Sequence, residues 1–276
     1  MPGRNQPDTQ PQQRRIFAMP HIVVATSLTH DRDPAVERAA EVSRAMGADL
    51  RLLHVLPDLL PGFVAEPRQR KAQGRLLHWT RRLARETGHH VSYKVGRGDV
   101  ARRIVRESED LDAVLTVIGH TQVRRRAPRL FGTTAARSLQ EARGAVLIVR
   151  SDLQCRAYRK AVIAYDGVIG EDRLLTYLPH LAPQATLHPY ALPAKGRAQP
   201  ATRRVAAHVT AMRRAIDADL LVIGMPNDET MNPFRFRRLP ASLTVTPECD
   251  TLIVPQDACA DLPEAPATLR MVRTAV

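Results

Sequence analysis

The stretches DAVLTVIG at residues 112–119 and GAVLIVR at residues 144–150 decide the fold, because both return later in the chain. They reappear as DLLVIG at 219–224 and as DTLIVP at 250–255. Each stretch is a short run of aliphatic and β-branched residues bounded by Gly, Asp or Pro, which is typical of a buried strand. The matching stretches lie about 105 residues apart, so the sequence predicts an internal repeat.

Helical stretches separate the predicted strands. In the first copy strands are predicted at 21–25, 50–56, 91–95, 113–118 and 145–149, and helices at 34–46, 69–87, 100–107 and 133–142. In the second copy strands are predicted at 160–165, 185–191, 219–223 and 251–255. This alternation is typical of a parallel sheet with crossover helices. The first copy spans 93 positions from Thr26 to Gly119, whereas the second spans 58 from Asp166 to Gly224. The second copy therefore lacks about one strand and one helix, the equivalent of residues 69–95.

The predicted fold class is α/β, with two open parallel-sheet domains of the flavodoxin or Rossmann-like kind in tandem. The first domain is placed at residues 20–151 and the shortened second domain at 158–255. Residues 1–19, rich in Pro, Gln and Arg, are expected to be a disordered tail. Residues 256–276 are expected to be an irregular C-terminal tail.

Composition narrows the class of protein. The chain has 276 residues and 44% apolar content, which is ordinary for a globular protein with a core. It contains no run of about 18 uncharged apolar residues and no secretory signal, so a cytoplasmic location without membrane contact is expected. Three cysteines without a CxxC spacing suggest neither a zinc site nor a disulfide framework.

The formal charge of +13 raises the question of nucleic-acid binding. Only four of the 41 basic residues are Lys, so 37 are Arg, and these are scattered along the chain rather than grouped in one stripe. With five Phe, five Tyr and one Trp, the chain also has few aromatic platforms for stacking bases. The composition therefore disfavours nucleic acid as the main partner.

The loop after the fourth strand is a candidate ligand site, because ligands of open α/β sheets bind beyond the carboxyl ends of the strands. It reads Gly119-His-Thr-Gln122, then nine residues, then Gly132-Thr133-Thr134 at the start of a predicted helix. Glycine lets a ligand approach the backbone, and the amides of a helix N-terminus favour phosphate. The alternative is that Thr133 only caps the helix. The residues alone leave both readings open.

This loop resembles the nucleotide motif of ATP-binding universal stress proteins, Gly-x-x-Gly, nine residues, Gly-Ser/Thr. The phrases LLHVL at 52–56, VGRGDVARRIV at 95–105 and GAVLIVR at 144–150 extend the resemblance. It implies that an acidic residue after the first strand and the backbone near Val55 hold adenine and ribose. It also implies ribose and phosphate contacts from Gly119, Gly132, Thr133 and Thr134.

Two residues depart from the family's pattern. Thr26 stands where the family has Asp after the first strand, and Gln122 stands where it has the second glycine. Thr makes fewer charge-assisted hydrogen bonds than a carboxylate, and a side chain at position 122 would crowd a phosphate. Binding of ATP or another adenine nucleotide is therefore expected to be weakened in the first copy.

The second copy reverses this pattern. It retains the acidic residue as Asp166, but of the loop motif only Gly224 survives. The other three motif positions are occupied by Asn227, Arg237 and Arg238. We expect no ATP in the second copy.

Nothing in the sequence predicts catalysis. The Gly-Arg-Gly-Asp run at 96–99 resembles a dinucleotide fingerprint, but it follows the third strand rather than the first. There is no GxSxG elbow, no Walker loop and no His spacing typical of a metal site. The sequence therefore predicts a non-enzymatic stress-response or regulatory protein, acting either as a nucleotide sensor or as a nucleotide-independent interaction scaffold.

The resemblance also carries an expectation about assembly. It implies that the two copies pair through their last strands, Val146–Val149 and Leu252–Val254, so that one chain imitates a dimer. A further homodimer of the whole chain is expected, because a shortened second copy leaves apolar helix faces to cover.

Overall fold

A computed structural model describes residues 19–58, 61–120, 144–150, 156–165, 174–191, 202–225, 249–255, 258, 262 and 269–272. The predicted N-terminal tail lies outside these residues except for Met19. The predicted helix at 133–142 lies outside them as well.

The described residues form ten strands and five helices. The strands are β1 His21–Ala25, β2 Asp49–Leu56, β3 Val91–Arg97, β4 Leu115–His120, β5 Ala145–Arg150, β6 Lys160–Tyr165, β7 Thr186–Ala191, β8 Leu220–Met225, β9 Asp250–Pro255 and β10 Arg270–Met271. The helices are α1 Pro34–Met46, α2 Gly62–Thr87, α3 Val100–Asp110, α4 Leu178–Leu181 and α5 Thr202–Ile216.

Local sequence signals set the ends of α1. Asp33 precedes it in extended backbone and accepts a hydrogen bond from the Ala35 amide, and Pro34 occupies the first turn, where its missing N–H costs nothing. Gly47 ends the helix in the left-handed conformation, with φ at 63°. The predicted bounds of this helix are confirmed.

All ten strands belong to one sheet in the order β10-β7-β6-β8-β9-β5-β4-β1-β2-β3. Every pairing is parallel except that between β5 and β9. Helices α1, α2 and α4 cover one face of the sheet, and α3 and α5 cover the other. The prediction of an α/β fold with open, mostly parallel sheet is confirmed.

The two halves of the sheet repeat the same local geometry. Asp112 before β4 and Asp217 before β8 both take the left-handed conformation, with φ at 46° and 56°, although neither is glycine. They lie 105 residues apart, the spacing of the sequence repeat. The hydrogen bonds of the two turns match as well, because Ala113 donates to the Ser108 carbonyl at 2.8 Å and Ala218 donates to the Arg213 carbonyl at 3.0 Å.

The antiparallel pair of β5 and β9 joins the halves in a pseudo-symmetric way. Leu147 faces Leu252, its own counterpart 105 residues later, while Val146 faces Ile253 and Ile148 faces Thr251. A self-complementary register of this kind is what a two-fold axis between two copies of one strand produces. The strands predicted to pair between the two copies are therefore paired in the structure.

The structure differs from the sequence-based expectation in two places. Helix α2 begins at Gly62 rather than at residue 69, and Pro67 is accommodated in its second turn. The segment after residue 255, expected to be irregular, contributes β10, which pairs in parallel with β7. In the first half β3 holds the equivalent position beside β2, so β10 occupies the edge that the missing strand leaves.

Candidate functional site

The strand order creates a switch point between β1 and β4. From β1 the chain moves outward through β2 to β3, and then crosses back to build β4 and β5 on the other side. In open α/β sheets ligands bind at the carboxyl ends of the strands where the direction of winding reverses. The residues after β1 and at the end of β4 therefore form the candidate site.

The loop that follows β1 is held by contacts from two neighbouring elements. His54 of β2 donates from Nδ1 to the Thr26 carbonyl at 2.8 Å. Arg75 of α2 donates to the Leu28 carbonyl at 2.9 Å, to the His30 carbonyl and to the Asp31 carboxylate. Leu28 has a φ of 55°, a conformation that costs a non-glycine residue about 1–2 kcal/mol. These contacts hold the strained loop in one conformation at the carboxyl end of β1.

Thr26 is 6% exposed, and its hydroxyl group is fully engaged within the loop. The hydroxyl donates to Asp33 Oδ2 at 2.6 Å and accepts a hydrogen bond from the Leu28 amide at 3.1 Å. The hydroxyl of Thr26 therefore stabilises the conformation of the loop that follows β1.

Gly119 and Asp33 meet at the switch point. A Cβ atom on Gly119 would lie 3.4 Å from the Ala35 side chain and 3.8 Å from Asp33 Oδ1. The missing side chain thus leaves room for the N-terminus of α1 to approach β4. That terminus brings the partial positive charge of the helix dipole to the site.

The backbone of Val55 also faces the site. Strand β1 ends at Ala25, which is opposite Leu53, so β2 continues past the end of β1. The Leu53 carbonyl points toward β1, where it accepts from the Thr26 amide at 2.9 Å. Because alternate residues of a strand point their N–H and C=O groups to the same side, those of Val55 point into the space beyond β1.

Three predicted site residues therefore lie close to one another, at the carboxyl ends of the neighbouring strands β1, β2 and β4. They are Thr26, Val55 and Gly119. The other four, Gln122, Gly132, Thr133 and Thr134, lie outside the described residues. In the second half Gly224 is the penultimate residue of β8 at the corresponding switch point, while Asp166 lies outside the described residues.

A separate cleft of about 170 Å³ lies between α3 and strands β2 and β3. Its lining includes Glu107, which is 4% exposed and accepts hydrogen bonds from Arg51 at 3.1 Å and from Lys94. The single Glu107 carboxylate therefore pairs with two cations, and this part of the cleft is a structural ion-pair cluster. Ligand chemistry is better placed at the switch point.

The described residues contain neither a metal-binding cluster nor a membrane-spanning helix. No group of three or more His, Cys, Asp or Glu side chains there is arranged to hold a metal ion. Among the helices of that part of the chain, none combines the length and the apolar run needed to cross a bilayer.

Comparison with known proteins identifies the first half of the chain. Residues 19–150 match the family model of the universal stress protein family. The N-terminal half of this chain is a universal stress protein domain. No curated protein sequence matches the chain significantly.

Solved structures resemble this chain over both halves of the sheet. A universal stress protein from Archaeoglobus fulgidus DSM 4304 is 13% identical, covers 86% of this chain and 98% of its own, and gives a TM-score of 0.64. A Pseudomonas aeruginosa PAO1 protein described as functionally unknown is 16% identical, covers 87% and 94%, and gives a TM-score of 0.60. At these identities the likeness shows the fold.

A further universal stress protein was solved in complex with cAMP. It is 22% identical, covers 49% of this chain and 99% of its own, and gives a TM-score of 0.39. A TM-score this low supports no inference about the ligand of this chain.

Sequence reasoning missed Asp33 and Arg75 as parts of the site of this universal stress protein domain. Asp33 carries a visible signal, since Asp followed by Pro commonly starts a helix. Its approach to Gly119 depends on how α1 packs across the sheet, and the sequence alone does not state this. Arg75 is one of many arginines, and only the fold brings it to the loop after β1.

Proposed function

We propose that the universal stress protein domain binds an adenine nucleotide at the β1/β4 switch point and acts as a non-enzymatic stress-response regulator. The observation that carries the proposal is the convergence of three features at that point. They are the backbone of Gly119, the N-terminus of α1 that packs against it, and the Asp33 carboxylate. Together these offer both donors and acceptors to one ligand.

The loop that follows β4 supplies the phosphate part of the proposal. Its Gly132-Thr133-Thr134 sequence matches the family's motif with the nine-residue spacing intact. Because Gly119 leads directly into this loop, the sugar would lie near Gly119 and the phosphates further along it. Gln122 stands at the glycine position nearest Gly119, so the affinity is expected to be weaker than that of a site with both glycines.

The non-enzymatic role rests on how the polar groups are used. Thr26 is buried, and its proton is donated to Asp33, which in turn caps α1. The burial of Thr26 and the helix-capping role of Asp33 favour a structural use of these side chains. A protein that responds to cellular adenine nucleotide acts where that nucleotide is abundant, so the proposal places it in the cytoplasm.

The proposal is tested by isothermal titration of the whole chain with Mg-ATP, ADP and AMP, after bound nucleotide has been removed and identified. Gly132→Glu should abolish binding, because it adds charge and bulk where phosphate is expected. Gly74→Glu is the matched control, since Gly74 is exposed on α2 and a side chain there would meet nothing within 4 Å.

Micromolar binding that Gly132→Glu removes and Gly74→Glu leaves unchanged would support a nucleotide sensor. A chain that gives no heat and carries no nucleotide after purification would refute the sensor. The function would then rest on the surface of the paired halves, as an interaction scaffold.

Homodimerisation stays a prediction of its own. Strand β5 is paired with β4 on one side and β9 on the other, so it has no free edge for a second chain. A homodimer would therefore use another surface, such as the outer edge of β3. Light scattering after size-exclusion chromatography gives the mass that decides between one chain and two.

A further inference from the structure

Strand β3 forms one outer edge of the sheet, and its backbone is open on that side. It pairs with β2 and with no other described strand. The Gly98 amide, just past β3, donates to the Leu56 carbonyl at 3.0 Å, so the even-numbered residues of this strand bond to β2. The odd-numbered residues point their N–H and C=O groups outward. Among the described residues, none bonds to the outward groups of Val91, Tyr93 and Val95.

The opposite edge of the same sheet is covered by the chain itself. Strand β10 pairs with β7 there, and the Val272 amide donates to the Leu187 carbonyl at 2.9 Å. At β3 the Arg97 carbonyl is also covered, because it accepts from Arg103 Nε at 2.7 Å. The rest of β3 stays open within the part of the chain that the structure describes. An open edge of this kind is a template for a further strand.

Helix α2 gives this edge an apolar flank on one face of the sheet. Tyr93 and Val95 pack on the core that α2 covers. Gln69 of α2 lies beside the end of β3, where its Oε1 accepts from Arg97 at 3.4 Å. Leu77 follows on the same side of α2 about 12 Å further along, which is the rise of about four residues of β3. Leu77 is therefore level with Tyr93, and it is 39% exposed.

On the other face of the sheet, α3 gives the same edge a basic flank. The cleft of about 170 Å³ lies beside β3 and is lined by Lys94, Arg103 and Arg106. The Arg103 side chain lies across β3, with its Cδ 3.8 Å from the place of a Gly96 Cβ. Among the described residues, no carboxylate forms an ion pair with Arg103. Its guanidinium charge is therefore uncompensated there.

The carboxylates of this cleft do not balance its cations. Glu107 is shared between Arg51 and Lys94, and Asp110 lies 4.0 Å from Arg106. Together with Arg103, four cations thus meet two carboxylates. The basic flank of β3 has a net positive charge, so it is complementary to an acidic side chain.

These two flanks specify which strand can add to β3. Successive side chains of a strand point to opposite faces of a sheet. An added strand would therefore place one set of side chains beside Leu77 and Tyr93 and the other set beside the cleft. Apolar residues suit the first flank and Asp or Glu the second. A second copy of β3 would bring further cations to the basic flank, and like charges on adjacent strands are destabilising.

We propose that the outer edge of β3 binds an extended segment of a partner protein by strand addition, and that this segment alternates apolar with acidic residues. Main-chain hydrogen bonds supply affinity in this mode of recognition, and the alternate side chains supply specificity. The interaction does not depend on nucleotide binding, because β3 lies two strands away from β1.

The test titrates the whole chain, free of nucleotide, into a fluorescein-labelled octapeptide that alternates valine with glutamate. Fluorescence anisotropy measures the affinity. The control is the same peptide with lysine in place of glutamate. The acidic peptide should bind at least about fivefold more tightly, because several exposed charge pairs each contribute up to about 1 kcal/mol.

Two variants test the basic flank. Arg106→Glu should weaken binding of the acidic peptide about threefold or more, since it replaces an attractive charge by a repulsive one. Arg81→Glu is the matched control, because it changes the net charge equally at an exposed position of α2 outside the cleft.

Hydrogen exchange followed by NMR tests the backbone contact directly. The acidic peptide should slow exchange at the outward amides of Val91, Tyr93 and Val95. Val95→Pro should weaken both peptides, because it removes an outward N–H and leaves the bonds to β2 in place. The exchange pattern of the wild-type chain gives the same information if that variant does not fold.

The outcomes decide the proposal without reference to the nucleotide titration. Failure to bind the acidic peptide refutes strand addition, and equal affinity for both peptides refutes the basic flank as its specificity device. Protection of amides outside β3 places the peptide elsewhere and overturns the proposal. A doubled mass in light scattering, with the β3 amides protected before peptide is added, would assign this edge to a second copy instead.

Discussion

Replacing Asp250 by alanine tests how the two halves of the sheet are held together. Asp250 begins β9 and is 4% exposed. Its carboxylate accepts from the Arg150 amide at 2.9 Å and from the Tyr158 hydroxyl at 2.5 Å. Arg38 of α1 lies over the Tyr158 ring at 4.0 Å, with its Nε 3.7 Å from Asp250 Oδ2. The substitution would remove the acceptor of these two hydrogen bonds and the carboxylate that faces the Arg38 guanidinium.

The expected cost follows from burial. Breaking a buried ion pair by removing one partner costs about 3–5 kcal/mol, because the other charge is left without compensation. Arg38 is 5% exposed but keeps the Glu41 carboxylate at 2.7 Å and the Arg156 carbonyl at 2.8 Å, which favours the lower end. We expect a loss of about 3 kcal/mol, which lowers Tm by about 6–12 °C in a protein of this size.

Urea and thermal unfolding, both monitored by circular dichroism, measure this loss in the free energy of unfolding. Asp219→Ala is the matched control, because the Asp219 carboxylate also accepts from two backbone amides, at 2.9 and 3.0 Å, but in an exposed setting. That control should cost about 1 kcal/mol. A double-mutant cycle with Tyr158→Phe isolates the hydroxyl–carboxylate contact.

The reasoning fails if Asp250→Ala costs no more than Asp219→Ala. It also fails in part if the cycle gives a coupling energy below about 0.5 kcal/mol, because such a value is typical of residues that do not interact. In that case the halves would be held by strand pairing and apolar packing alone.

Three further predictions concern the same half of the chain. Burial raises the pKa of Asp250, so between about pH 3.9 and that raised value the folded chain holds a proton that the unfolded chain has lost. The wild type should therefore lose stability relative to Asp250→Asn as the pH rises through this window, and parallel urea-unfolding curves would contradict this. Burial also raises the pKa of the Cys249 thiol to about 12, so in a chain with Cys155→Ser and Cys259→Ser it should react with iodoacetamide at pH 8 only after unfolding. Deleting residues 269–276 removes β10 and the bond from the Val272 amide to the Leu187 carbonyl at 2.9 Å, and faster hydrogen exchange in β7 should follow, whereas unchanged exchange would show that β10 protects nothing.

The amino-acid sequence by itself determined the elements and their kind. Short β-branched runs predicted the strands, and Pro34 and Gly47 marked the ends of α1, because strand burial and helix capping depend on residues close together in the chain. The sequence also predicted a repeat of about 105 residues, because the strand-like runs at 112–119 and 144–150 return in similar form at 219–224 and 250–255. The family resemblance implied that the last strands of the two copies pair, and the structure contains this pairing of β5 with β9.

The tertiary structure alone decided which distant groups meet. Asp33 lies beside Gly119, Arg75 holds the loop after β1, and Arg38 reaches Asp250, and each of these contacts joins residues more than 40 positions apart. These contacts form because α1 and α2 pack across the sheet, and local sequence patterns do not predict how a helix packs. The same holds for β10, because a two-residue strand has too little sequence to be recognised until β7 offers it an edge.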